Sequence, residues 1–345
     1  METVDAERVF RAYRSGLLRR SGPETGRNLS FQVLISLVSR DLFPVRERVR
    51  FRRIWNASWH GLSAARAGHL EEAMRLFAIG EEELAAVEMG SGCWLLGLSI
   101  LESARAYLDY REGRFELARE RTYAAMDADS TLEQRGAYGL LELHRVQAVH
   151  NLMRIDLRAG EASRAFSLAG DILIYLEGHR ESLPVHRDWR KRWLQQAPHA
   201  LRRKLIAQVA DEVALALVAN VESNGWETFS ARISSWMCQA KVGLHPRVFL
   251  WIQVKAARVA GDASGYLDRL CDFLSGGRED IPALWYSCMI DFLEFCDVEN
   301  SSQSRYVKAA VLRDTAKWPA LPETFRSCLD RYSDGVAWRS HPGSG

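Results

Sequence analysis

The sequence predicts an all-α chain of antiparallel helix hairpins, and three observations carry that expectation. Proline is scarce, 9 in 345 residues, so little interrupts a helix. Most glycines fall between stretches whose apolar residues recur at helical spacing, where they read as helix stops. Between such stretches a short phrase recurs in which a glycine is followed five residues later by a small residue.

Taken in chain order, residues 4–20 and 28–42 read as a helix pair split by the turn-rich loop SGPETGRN, and residues 1–45 are expected to cap a repeat array. Residues 46–178 form the repeat region. Its two clearest copies are ARAGHLEEAMRLF and YREGRFELARERTY, centred on Gly68 and Gly113. A third, LRAGEASRAFSLAGDIL, keeps Gly160 and Ala165, and a later one, VAGDASGYLDRL, keeps Gly261 but carries Tyr266 in place of alanine. The chemistry is that of a helix hairpin. Glycine ends the first helix in a left-handed conformation, and the small residue lets the second helix approach closely. Residues 179–198 combine turn residues with dense charge and read as a connector, and therefore as the main boundary. Residues 199–345 are expected to form a C-terminal helical repeat region. It opens with KLIAQVADEVALALVANV, which is apolar on too many faces for a surface helix. One or two amphipathic helices are expected over 302–334, and the final SHPGSG has no apolar anchor.

The stretch around Gly68 resembles a tetratricopeptide repeat. Gly61 takes the small site on the first helix, Gly68 and Leu70 the turn, Ala73 the small site on the second, and Phe77 and Gly80 the positions after it. In the next copy Ala106, Gly113, Phe115, Ala118 and Ala125 correspond, while Thr122 departs from the aromatic. Turn glycines lie 45 and then 47 residues apart, against about 34 in that family. The resemblance is therefore to a degenerate, long-helix version of a TPR-like α-solenoid. It implies that the first helix of each pair lines a concave surface that binds a protein or peptide.

On that surface three arginines stand in register. Arg66, Arg111 and Arg158 each precede their turn glycine by two residues, a row suited to an acidic segment or a terminal carboxylate. The competing reading is that they cap the helix C-termini and answer the helix dipole. Trp55, Tyr107, Tyr110, Gln147, His150 and Arg154 are expected on the same face, although aromatics at helical spacing also suit a core. Ser58 and Leu62 occupy the sites where family members that clamp a chain terminus carry basic and amide side chains, so that particular clamp is not supported. A second candidate is the basic segment HRDWRKRW, in which Trp189, Arg190, Lys191, Arg192 and Trp193 mix charge with rings that can stack on bases. Arg46, Arg48, Arg50, Arg52 and Arg53 form another basic run, which reads as a solvated helix face.

Composition narrows the function classes. Lys and Arg number 46 against 44 Asp and Glu, a net charge of +2, which argues against nucleic acid as the partner of the whole molecule. There is no secretory leader pattern and no run of apolar residues long enough to span a bilayer, so a cytoplasmic protein without membrane contact is expected. The six cysteines include no CxxC pair and read as buried free thiols. His144 and His150, six residues apart, fall on different helix faces and lack the spacing of a zinc pair. No nucleophile motif or phosphate-binding glycine loop is present, so neither catalysis, metal nor cofactor is expected. The sequence reads as a non-catalytic adaptor or regulator whose groove binds a protein or peptide segment. The alternative is a ligand-sensing or transcription-regulatory module whose Trp189 segment contacts nucleic acid. Homodimer formation is left open, since helical arrays also pair through core-like faces.

Overall fold

The computed structural model describes residues 6–18, 31–136, 138–185, 189, 194, 197–219, 224–240, 243–319 and 321–334. Among them are fifteen helices and no strand. In order they are α1 (Ala6–Leu18), α2 (Phe31–Leu42), α3 (Val45–Ala67), α4 (Leu70–Ala85), α5 (Gly92–Arg111), α6 (Phe115–Gln134), α7 (Leu141–Ala159) and α8 (Ala162–Glu177). There follow α9 (His199–Val218), α10 (Gly225–Gln239), α11 (Pro246–Val259), α12 (Ala263–Ser275), α13 (Pro282–Glu299), α14 (Ser302–Thr315) and α15 (Glu323–Asp334). They group into two compact units. One contains α2 to α8, the first half of α9, and α10; the other contains α1, the second half of α9, and α11 to α15.

In the first unit the pairs α3/α4, α5/α6 and α7/α8 are each closed by a glycine of positive φ: Gly68 at 88°, Gly113 at 79° and Gly160 at 85°. The three turns share one hydrogen-bond pattern. The glycine N–H donates to the carbonyl three residues back, and the next N–H to the carbonyl five back: Ala64 from His69, Asp109 from Arg114 and Asp156 from Glu161. These bonds satisfy carbonyls that a helix end otherwise leaves orphaned. Five residues past each glycine, Ala73, Ala118 and Ala165 are wholly buried. Close approach is also why position 61 is glycine, since a Cβ there would lie 2.6 Å from the Phe77 ring.

Helix α10 returns to this unit and packs on α8. Asp171, on α8, accepts from Arg232 Nε and Nη2 at 2.6 and 2.9 Å and also pairs with Arg180, while a Cβ on Gly170 would press into the Arg232 side chain. Gly225 lies against Phe166.

In the second unit α11 and α12 repeat the turn around Gly261 at φ 70°, with Tyr266 buried at the alanine position. Its core is aromatic. Tyr13 of α1 stacks on Trp285 at 5.5 Å, and its hydroxyl accepts from Trp318 Nε1 at 3.1 Å.

Two features of the sequence-based organisation are corrected. Helix α1 does not join α2 as a cap on the repeats; it packs on α12 and α14, because Ala6, Val9 and Tyr13 give it an apolar face that the aromatic core takes up. The division between units falls within α9, not across 179–198. The charged connector is pinned by buried Leu183, Trp189 and Leu194, whereas α9 buries Leu205, Ile206 and Val209 in one half and Ala210, Val213 and Ala214 in the other. The loop SGPETGRN and the final SHPGSG lie outside the described residues. No helix among the described residues is long and apolar enough to cross a membrane.

Candidate functional site

Each arginine of the row leaves the last turn of its helix two residues before the turn glycine, and Arg66, Arg111 and Arg158 are all exposed. Because the glycine and the residue after it already donate to the final carbonyls, the guanidiniums are not needed for that task. Among the described residues none of the three donates to a carbonyl of its own helix. They engage tyrosines instead. The Arg66 guanidinium lies over the Tyr107 ring at 5.7 Å, and that of Arg158 over Tyr110 at 4.8 Å. Tyr107 and Tyr110 are 5.9 Å apart, inclined by 38°, and Arg111 Nη1 reaches the Tyr107 hydroxyl at 3.5 Å. Since i and i+3 share a helix face, α5 offers both rings side by side, and the arginines of α3 and α7 close on them from either side. Cation and ring attract through the ring quadrupole and hold each flexible side chain in place.

Beside this strip a small open pocket of about 30 Å³ is lined by Ser103, Ala106, Tyr107 and Tyr110 of α5, Thr122 of α6, and Asn151, Arg154 and Ile155 of α7. It is small and open to solvent on one side, with room for at least a small side chain. Thr122, where the tetratricopeptide pattern has an aromatic, donates its hydroxyl to the Ala118 carbonyl at 2.7 Å and so leaves this space open.

Other sequence candidates lie elsewhere. Trp55 is half-buried against Phe51 at 6.1 Å, as part of the core. Gln147 is half-buried and lines no part of the pocket. His150 is corrected: it is buried, with Nε2 unpartnered, and burial followed by the nearby Arg154 charge pushes its pKa down to about 3. It is a core residue and presents nothing to a partner. Trp189 is also corrected. It is 5% exposed, edge-on to Tyr175 at 5.5 Å, with the Arg145 guanidinium over its ring at 4.4 Å, so its π face is taken. Arg190, Lys191, Arg192 and Trp193 lie outside the described residues. Arg202, on α9, is buried and donates to the Leu176 carbonyl. Of the α3 run, Arg50 and Arg53 pair with Glu83 at 4.0 and 3.0 Å. Cys93, Cys288, Cys296 and Cys328 are buried, but Cys238 is exposed on α10, a correction to the expectation of buried thiols.

Sequence reasoning missed two ionic clusters. Asp109 and Asp156, four residues before their turn glycines, are buried and clamped by arginines: Asp109 by Arg114 of the turn and Arg121 of α6, Asp156 by Arg119 of α6 and Arg164 of α8. The signal was present as an Asp at the same offset in two copies. A deeper cluster joins Arg145 to Glu133 through two bonds of 2.8 and 2.6 Å, with Glu142 accepting from Tyr175. Burial, opposed by Arg145, pushes Glu133 up to about 7.

Nearby, Ser99 and Asp129 both meet His144, at 3.3 and 2.7 Å, but on the same Nδ1 atom. A hydrolytic triad needs hydroxyl and carboxylate on opposite ring nitrogens, so this trio does not activate the serine. No group of three His, Cys, Asp or Glu among the described residues is arranged to hold a metal ion. No family model, curated protein or solved structure matches the chain.

Proposed function

We propose that the chain is a non-catalytic adaptor or regulatory protein that binds a segment of another protein on the face shared by α3, α5 and α7. In this reading the three helix pairs are TPR-like repeats, and their first helices form the binding groove. One observation carries it. Three arginines at one repeat position, on three successive helix pairs, are joined through Tyr107 and Tyr110 into one exposed strip beside a pocket. Core side chains have no reason to keep such a register at the surface; a ligand laid across the repeats gives one.

Capture from host lysate with quantitative mass spectrometry tests it, comparing the native chain with an Arg66→Glu, Arg111→Glu, Arg158→Glu variant of unchanged thermal midpoint. A protein retained by the first and lost by the second is the expected result. Equal capture by both sinks the assignment of this face.

A further inference from the structure

The arginines around the strip are treated in two ways. Arg105, Arg114, Arg119, Arg121 and Arg164, on the same helix pairs, each pair with at least one carboxylate. Arg66, Arg111 and Arg158 pair with none among the described residues. Neighbouring acids are already engaged, Asp109 by Arg114 and Arg121, and Glu112 by Arg114. The strip is therefore a local excess of positive charge that meets tyrosines but, among the described residues, no carboxylate, on a chain whose net charge is only +2.

Its dimensions limit what can answer it. Links of 5.7, 5.9 and 4.8 Å run from Arg66 through the two rings to Arg158, so the outer guanidiniums lie within about 16 Å of each other. An extended peptide advances about 3.3 Å per residue and turns alternate side chains to one face. Acids at positions i and i+4 thus stand about 13 Å apart on one side, with residue i+2 between them. The pocket beside the rings offers that residue Ala106, Ile155 and the tyrosine edges, in a space fitting a small aliphatic group.

Resting on the binding reading above, we infer that the occupant is an extended acidic segment of a partner protein, with carboxylates at i and i+4 on the arginine row and a small aliphatic side chain at i+2 in the pocket. Carboxylate is favoured over nucleic acid because the Arg66 and Arg158 guanidiniums already lie over the Tyr107 and Tyr110 rings, which reduces the stacking surface left for a base.

Fluorescence anisotropy with labelled peptides tests the inference on the full chain. The probes are a peptide containing Glu-Ala-Val-Ala-Glu, one of equal composition with its two Glu ten residues apart, one with Lys for Glu, and a single-stranded oligonucleotide. The close-spaced peptide should bind about tenfold tighter than the wide-spaced one, which the second carboxylate contact supplies. It should weaken by a similar factor on Arg66→Gln with Arg158→Gln, two exposed sites whose variant keeps its thermal midpoint. Replacing its Val by Trp should also weaken it. Equal binding of both spacings overturns the register while the surface assignment from lysate capture stands. Tighter binding of the oligonucleotide or the Lys peptide, or no loss in the double variant, overturns the acidic partner.

Discussion

His150 shows how little a residue's type says about its place. On α7 it sits four positions before Arg154, which lines the pocket, yet it is buried with an unpartnered nitrogen and stays neutral down to about pH 3. Because its folded pKa lies below the ordinary 6.5, the unfolded chain takes up a proton that the folded chain refuses, and stability is lost as pH falls below about 6.5. Glu133 works in the opposite sense. Raised from 4.5 to about 7, it holds a proton that the unfolded chain has released, so its contribution is lost as pH rises through that window. Replacing His150 by Leu removes the first effect alone. Between pH 6.5 and 5 the native chain should lose about 2 kcal/mol relative to the variant, read by urea denaturation at both values. A constant difference would mean that His150 is not held neutral. The arginine row was legible because its offset from the turn glycine repeats, and Tyr107 and Tyr110 were legible as its neighbours. His150 and Trp189 were not, because a polar or basic sequence context does not reveal which way a side chain faces.

The element that organises the chain is the glycine turn, and it was the part of the fold most visible in sequence. Only a residue without Cβ enters φ near +80° cheaply, so Gly68, Gly113 and Gly160 announce helix ends wherever they follow a periodic stretch. An added Cβ at any of the three meets nothing within 4 Å, so alanine there would suffer conformational strain and no clash. Each Gly→Ala change should therefore cost about 1–2 kcal/mol, nearly the same at all three sites. Gly61→Ala makes the contrast, since its Cβ would lie 2.6 Å from Phe77, whose ring must move within a packed core. Urea midpoints for the four variants check this; a neutral Gly113→Ala would show that the left-handed turn is not what closes the α5/α6 pair. The aspartates four residues before Gly113 and Gly160 belong to the same element. Their meaning appears only when packing brings arginines of neighbouring helices onto them, a contact between residues 12 apart for Asp109 with Arg121 and 37 apart for Arg119 with Asp156.

At the scale of the molecule, sequence and structure part company over where one unit ends. Charge and turn residues mark 179–198 as a linker, yet a linker is defined by how few contacts cross it, and that is not written in local composition. Three buried side chains, Leu183, Trp189 and Leu194, hold the segment down, and the chain later sends α10 back to cover α8. That return was not legible because its signals are spread over 61 residues, from Asp171 to Arg232. It has a direct consequence. A chain cut after residue 198 retains every repeat copy up to Gly160 but loses Arg232, leaving Asp171 with Arg180 alone, and loses the cover over Phe166, which is 1% exposed in the intact chain. Exposing a phenylalanine side chain costs about 1.5–3 kcal/mol and each lost hydrogen bond to a buried carboxylate about 1.5–3 kcal/mol, together a large share of the roughly 5–15 kcal/mol by which a domain is stable. The truncated chain should therefore lose its sharp thermal transition and aggregate, while Asp171→Asn in the full chain, keeping α10 in place, should lower the midpoint and preserve cooperativity. A truncated chain that melts as sharply as the native one would show that the repeats are closed without α10, and that the boundary read from composition was the physical one.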